Sequence, residues 1–325
     1  MELRPAMRSL TVVCPVYNEQ EVIADFCAEL LRVLGTVADR WRCTVLFVVD
    51  RSTDSTLEVL KGIAAADPRV QILALSTRFG HQMSLLAGLD HCDADAVVMM
   101  DSDLQHPPAL IPELLEGLER GYDVVYTVRE DSPEVSAWKR LSSRWFYRLI
   151  NVISDTPINE SAADFRVVSR RVVEVFQKQI RERNQFMRGL FGWIGFRSLA
   201  VRFQVGRRPA GRTKYSVRRM VRFGVDGVVS FSKTPLQAAV YLGFAFGALG
   251  FLYALVTLLQ FLLYRSFPSG WTTIIILVSI FNGTQLVFLG ILGEYLGAIF
   301  DEVKARPHYI VEERVNFPPL PGAPV

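Results

Sequence analysis

Two long stretches without a charged side chain, residues 234–264 and 266–293, constrain this 325-residue chain more than any other feature. A helix rises about 1.5 Å per residue, so either stretch can cross a hydrocarbon core of about 30 Å. Core helices of soluble proteins rarely run so far without one charge. The join between the stretches, residues 265–270, is short. A helical hairpin is therefore predicted, with spans at about 236–264 and 271–293 and both outer ends on one side of a membrane. Arg207, Arg208, Arg212, Lys214, Arg218, Arg219, Arg222 and Lys233 crowd its entrance, and Lys304 and Arg306 follow its exit. By the positive-inside rule both termini are expected in the cytoplasm. Glu294 is expected near the interface, because a charge at mid-membrane costs about 2.5–3.5 kcal/mol. Gly243, Gly247 and Gly250 offer a small-residue surface on which subunits can pack, so a homo-oligomer is expected.

The first 128 residues read differently. Apolar runs at 10–16, 44–49, 70–75, 96–100 and 124–128 alternate with helical patterns at 22–34, 56–65, 83–89 and 110–118. Strand and helix in turn predict an α/β domain with a largely parallel sheet flanked by helices. In such sheets ligands bind beyond the carboxyl ends of the strands. That rule singles out Tyr17, Asn18 and Glu19 after the first strand, Asp50 after the second, and Asp101 and Asp103 after the fourth. The expected organisation is a catalytic domain at 1–210, a basic interfacial region at 211–233, the two spans within 234–300 and a cytoplasmic tail at 301–325, loose over 317–325. Cys14, Cys27, Cys43 and Cys92 lack Cys-x-x-Cys spacing and read as reduced thiols, and the four histidines form no zinc pattern. No Gly-x-Gly-x-x-Gly follows the first strand and no Gly-Lys-Ser/Thr loop occurs, which argues against a dinucleotide oxidoreductase and a P-loop enzyme. No nucleic-acid partner is expected.

The fourth apolar run ends in Asp101-Ser102-Asp103-Leu104-Gln105, followed by His106-Pro107-Pro108. Carboxylates two apart at an extended strand end point the same way, so Asp101 and Asp103 can converge on one hard cation. Mg²⁺ takes one or two carboxylates together with substrate phosphates, which suits a nucleotide diphosphate. Aspartates ahead of a Pro-Pro also serve as a helix cap and turn.

The chain resembles glycosyltransferase family 2, with its GT-A fold, and within it the polyprenyl-phosphate sugar transferases. The likeness rests on VVCPVYNEQEVI (12–23), VVDRSTDST (48–56), FGHQMSLLAGLDH (79–91), MMDSDLQHPP (99–108), GYDVVYTVR (121–129), ADFRVVSRRVV (163–173), ERNQFMRGL (182–190), GRTKYSVRRM (211–220) and GEYLGAIFDEVKARPHYIV (293–311). It implies that Pro15, Tyr17, Asn18, Glu19 and Asp50 hold the base and ribose of a nucleotide sugar. It also implies that Asp101, Asp103 and Gln105 gather the diphosphate and a divalent metal, Mg²⁺ or Mn²⁺. A UDP-sugar resembling UDP-glucose is favoured. Arg129, Lys139, Ser143, Arg166 and Lys214 are the implied ligands of the acceptor phosphate, and Asp164 accepts a residual proton or orients the acceptor, unless it caps the helix expected from Ser169. Two residues depart from the family pattern. Arg51 stands where glycine is usual, implying a different turn or an added donor contact, and His106 stands where Asp or Asn is common.

Residues 134–153 are predicted as an interfacial helix, with Trp138, Leu141, Trp145, Leu149 and Val152 on one face beside Arg140, Arg144 and Arg148. An ordinary amphipathic helix with its tryptophans in the core is the alternative. Residues 215–229 form a second basic amphipathic stretch. The expected reaction is inverting transfer of a sugar to polyprenyl phosphate, such as undecaprenyl phosphate, at the inner membrane of a bacterium. Processive polysaccharide synthases of the same fold carry Gln-x-x-Arg-Trp; here Gln185 and Arg188 are followed by Gly189. A membrane-anchored regulator that binds a nucleotide sugar without turnover is the remaining rival, with Arg51 in its favour.

Overall fold

The computed structural model describes residues 7–103, 105–130, 162–183, 185–204, 232–264 and 270–318. The interfacial stretches expected at 134–153 and 215–229 lie outside them, as do Lys139, Ser143 and Lys214. The described residues divide into two units: 7–130, 162–204 and 306–318 form one, and 232–264 with 270–305 the other.

In the first unit β1 (Arg8–Val16), β2 (Trp41–Val49), β3 (Val70–Leu75) and β4 (Ala96–Met99) are parallel and joined through α1 (Ile23–Gly35), α2 (Thr56–Ala66) and α3 (His81–Asp90). β1 is buried almost end to end, as a parallel strand covered on both faces must be. Cys14, Cys27 and Cys92 are buried free thiols and Cys43 is half-buried and free. The strand order β4-β1-β2-β3 places a topological switch point between β1 and β4, where the tips of neighbouring strands open a crevice for a ligand.

Beyond β4 come α4 (Ile111–Glu119), β5 (Val124–Glu130), β6 (Ala162–Ser169), α5 (Arg170–Lys178), α6 (Met187–Trp193) and β7 (Ser198–Gln204). The full order is β7-β5-β6-β4-β1-β2-β3-β8, with β8 at Val311–Val315. β6 runs antiparallel to both β4 and β5, and β8 antiparallel to β3. The sheet is thus more mixed than the alternating pattern predicts. β8 is also a departure, since it makes part of the expected tail an edge strand. Its charged residues Glu312, Glu313 and Arg314 suit an edge, where charge discourages further pairing.

α3 lies directly on β1 through Gly88, where a Cβ would overlap the Val13 side chain. Gly88→Ala is therefore expected to destabilise the unit by about 1–3 kcal/mol. A thermal midpoint equal to wild type in detergent would contradict that contact.

In the second unit α7 (Thr234–Tyr264) and α8 (Trp271–Lys304) are both long and apolar enough to cross a membrane. Their large side chains face outward: Phe244 is 75% exposed, Phe251 73% and Leu263 74%. Phe246 and Phe281 meet edge to face at 5.6 Å, and the Tyr295 hydroxyl donates to the Ser232 carbonyl at 2.7 Å. The 34 residues of α8 reach well past Gly293, to a length of about 51 Å. The helix stops at Ala305, whose φ of 47° is left-handed, followed two residues later by Pro307.

Candidate active site

The loops after β1 and β2 are sewn together by side chains that mimic backbone turns. Asn18, at φ 56°, accepts from the Thr53 amide at 2.8 Å and donates to the Thr53 hydroxyl at 3.0 Å, while its own amide donates to Ser52 Oγ at 3.1 Å. Asparagine tolerates that conformation better than most residues. The Glu19 amide donates to Thr56 Oγ1 at 2.9 Å, and Gln20 Oε1 accepts from the Ser55 amide at 3.0 Å. Beside this seam the Arg78 guanidinium stacks on the Tyr17 ring, 3.9 Å from its centroid.

Across the switch point, buried Ser102 donates to the Pro15 carbonyl at 3.2 Å and ties the tip of β4 to the tip of β1. Asp101 and Asp103 flank it, both half-buried. β4 ends at Met99 and the chain bends at 102–103, so the two acids stand on a loop past the strand and not on an extended strand end. Asp101 Oδ1 lies 2.7 Å from His81 Nε2. Burial works to raise the Asp101 pKa, but the His81 hydrogen bond and the charges of His81 and His106 hold it below the usual range. His81 moves the other way, upward, against burial, because of the Asp101 hydrogen bond and charge. Gln105 donates its amide to Asp103 Oδ1 at 3.1 Å and its side-chain Nε2 to Asp103 Oδ2. It therefore bears on the acid pair through Asp103.

β6 supplies a third acid. Its pairing sets Met99 against Arg166 and Val98 against Val167; the same register continued by two residues brings Asp164 level with Asp101. Asp164 is buried and gripped by Arg188, Nε at 2.9 Å and Nη2 at 2.8 Å, with Arg166 Nη2 at 3.4 Å. Burial would raise its pKa, but the Arg188 hydrogen bonds and the two guanidinium charges hold it well below the usual carboxylate range. In this state the carboxylate is a weak base. It sits within β6, so it caps no helix. Arg166 is itself buried, its guanidinium 4.4 Å from the Phe191 ring centroid, and burial lowers its pKa to about 10. Arg129 belongs to β5. Asp50 is buried and accepts from the Phe79 amide at 2.7 Å and the Gly80 amide at 2.9 Å. Arg188, His81 and Ser102 are site residues that sequence reading assigns no role.

A divalent cation fits these donors. Glu19 is pushed up to about 7, first by burial and then by the charges of Asp103, Asp54 and Asp101. Among the described residues no group of three or more His, Cys, Asp or Glu converges as a closed metal cage. One or two carboxylates is what Mg²⁺ takes when substrate phosphates complete its shell.

The family 2 glycosyl transferase pattern matches residues 11–176, a stretch that holds Glu19, Asp50, Asp101, Asp103 and Asp164. The chain belongs to glycosyl transferase family 2. This glycosyltransferase is 39% identical over 303 residues to the uncharacterized glycosyltransferase YkcC of Bacillus subtilis, covering 93% of each chain. It is 35% identical to the bactoprenol glucosyl transferase of Shigella phage SfII, covering 94% of this chain and 97% of the relative. Among solved structures it is similar to the mannosyltransferase PcManGT from Pyrobaculum calidifontis, with 18% identity and a TM-score of 0.49 over 90% of this chain and 86% of that one.

The two departures of this glycosyltransferase from its family pattern have structural explanations. Arg51 adopts φ 49°, the left-handed conformation that glycine favours. Its guanidinium donates to the Ser76 carbonyl at 3.1 Å and to Glu312 Oε2 of β8 at 2.9 Å. His106 is buried, stacks on Phe165 at 5.6 Å and meets Phe203 edge-on at 6.3 Å. Arg51→Gly would relax a left-handed residue by about 1 kcal/mol and lose an exposed ion pair worth up to about 1 kcal/mol. Unchanged stability and donor KM are expected; a donor KM raised tenfold would place Arg51 in the donor site.

Proposed function

We propose that this glycosyltransferase moves a sugar from a nucleotide diphosphate donor, UDP-glucose-like, to a polyprenyl phosphate with inversion, at the cytoplasmic face of a bacterial inner membrane. The observation that carries the reading is the acid pair Asp101 and Asp103 at the switch-point crevice of a chain that also bears two membrane-length apolar helices. Near full-length likeness to proteins named bactoprenol glucosyl transferases supports the acceptor class.

In this reading Pro15, Tyr17, Asn18 and Glu19 take the base and ribose, with Asp50 offering the lone pairs its two amide bonds leave. Asp101 and Asp103 would hold Mg²⁺ or Mn²⁺ against the diphosphate, and Gln105 keeps Asp103 oriented. The cation, when bound, supplies charge that offsets the negative charge developing on the leaving diphosphate. The nucleophile is an oxygen of the lipid phosphate. A phosphate monoester has a second pKa of about 6, so most of it is ionised before attack. A strong base is then unnecessary, which agrees with an Asp164 held as a weak one. Asp164 serves to orient the acceptor, and Arg166 acts through Asp164. Arg129, Lys139, Ser143 and Lys214 receive the acceptor phosphate, and their cations offset the repulsion between two phosphate-bearing substrates.

In this reading the spans lie at about 236–264 and 271–293, and the positive-inside rule, applied to the basic residues before and after them, assigns both termini to the cytoplasm. α8 then leaves the bilayer near Gly293, with Glu294 at the boundary. The catalytic domain is then residues 1–210 together with the edge strand β8 that the tail contributes, and the region 211–233 is assigned to the interface. The test is a panel of nucleotide sugars with undecaprenyl phosphate, read by mass spectrometry of the lipid. A hexosyl lipid phosphate that forms only with divalent cation is expected, and donor binding without lipid product would contradict the proposal.

A further inference from the structure

We propose that His81 is a positioning residue for Asp101, and that Asp50 reaches the same acid through the turn that sets His81 in place. The proposal rests on the reading of Asp101 and Asp103 as the acids that hold a divalent cation.

His81 is the first residue of α3 and follows Gly80, whose φ of 93° is open to few other residues. Asp50, at the tip of β2, accepts the amide hydrogens of Phe79 at 2.7 Å and Gly80 at 2.9 Å, and so fixes how the chain enters the helix. Seven residues further on, the close approach of Gly88 to Val13 fixes the helix against β1. The His81 ring is thus carried by a helix held at its start and along its length. Its Nε2 stands 2.7 Å from Asp101 Oδ1, so with the proton on Nε2 it donates to that oxygen. Asp101 Oδ2 lies 3.6 Å from His106 Nδ1, beyond hydrogen-bond distance. One oxygen is therefore restrained and the other remains available to a cation. The free torsion of an aspartate is its final one, about which the two oxygens swing. A hydrogen bond to one oxygen removes that freedom before the ligand arrives. Partners of this kind are worth about 10–100-fold in metal affinity where they have been removed.

The experiment is a titration of the full-length protein in detergent with Mn²⁺, with UDP present, read from the electron paramagnetic resonance signal of free Mn²⁺. His81→Ala is expected to weaken Mn²⁺ binding by about 10–100-fold. His81→Gln keeps a side-chain N–H donor and is expected to recover most of the loss. Asp50→Asn leaves Asp101 and His81 intact and withdraws one acceptor from the 79–80 turn. Because Asp50 also faces the donor, its variant is titrated at UDP concentrations that saturate it; Mn²⁺ binding is then expected to weaken in the same direction, and the result decides the matter with His81→Gln should His81→Ala fail to fold. Wild-type Mn²⁺ affinity in His81→Ala, or in Asp50→Asn, overturns the proposal, as does a His81→Gln no better than His81→Ala. A wild-type protein whose Mn²⁺ binding is indifferent to Asp103→Asn would instead remove the cation reading on which the proposal stands.

Discussion

Asp103→Asn is expected to lower the rate of sugar transfer by about 10²–10³-fold, the loss that follows when one group stabilising a developing negative charge is removed. The substitution keeps an oxygen for the Gln105 amide to reach, so the loop at 103–105 retains its local bond. It removes the charge that a cation needs. Asp103 is half-buried in a loop, and a polar isostere there should leave the thermal midpoint in detergent unchanged. The measurement is transfer of labelled sugar into lipid extracts at saturating donor and acceptor. A variant that folds and works at the wild-type rate would take Asp103 out of the chemistry.

Arg188→Met is expected to be the more damaging change to stability. Asp164 is only 8% exposed, and the fork of Arg188 supplies two of its hydrogen bonds. Breaking a buried ion pair from one side costs about 3–5 kcal/mol. The low end applies, because the Arg188 side chain is 30% exposed and Arg166 stays at 3.4 Å. Asp164→Asn removes the charge that would otherwise be stranded, so the double variant should be more stable than the two single losses together imply. A coupling of about 1–3 kcal/mol is expected from thermal or urea unfolding of the four proteins. Additive losses would mean that the pair seen at 2.8 and 2.9 Å contributes nothing of its own.

The parts of the fold that were legible in the sequence share a cause. From residue 10 to 128 the strands are nearly continuous apolar runs, α1, α2 and α4 each show one apolar face and α3 is buried over 84–89, so β1 to β5 and α1 to α4 fall where the pattern puts them, within a few residues. The two apolar helices needed only length and the absence of charge. β7 was available in principle: Leu199, Val201 and Phe203 alternate with the exposed Ala200 and Arg202, the period of a half-covered strand. β8 gives no such signal, because Val-Glu-Glu-Arg-Val is mostly charge and becomes a strand by docking on β3. β6 carries the motif Ala-Asp-Phe-Arg, but its antiparallel place between β4 and β5 depends on partners far along the chain. Without that register Asp164 could be taken for a helix cap.

The candidate site divides along the same line. Asp101 and Asp103 stood out because two acids two residues apart follow an apolar run; the bend at 102–103 that carries them past β4 leaves no mark in that pattern. Arg188 did not stand out, since it reaches Asp164 from α6, 24 residues later. Arg51 shows the converse, a departure that suggests a donor contact in one dimension and forms an ion pair to β8 in three.

Asp101 and Asp103 are proposed to hold together the cation that binds the donor diphosphate. Anomalous diffraction from crystals grown with Mn²⁺ and UDP tests it most directly. One strong manganese peak is expected in direct coordination with both carboxylates and with the diphosphate oxygens. A diphosphate bound with its manganese away from Asp101 and Asp103 would contradict it.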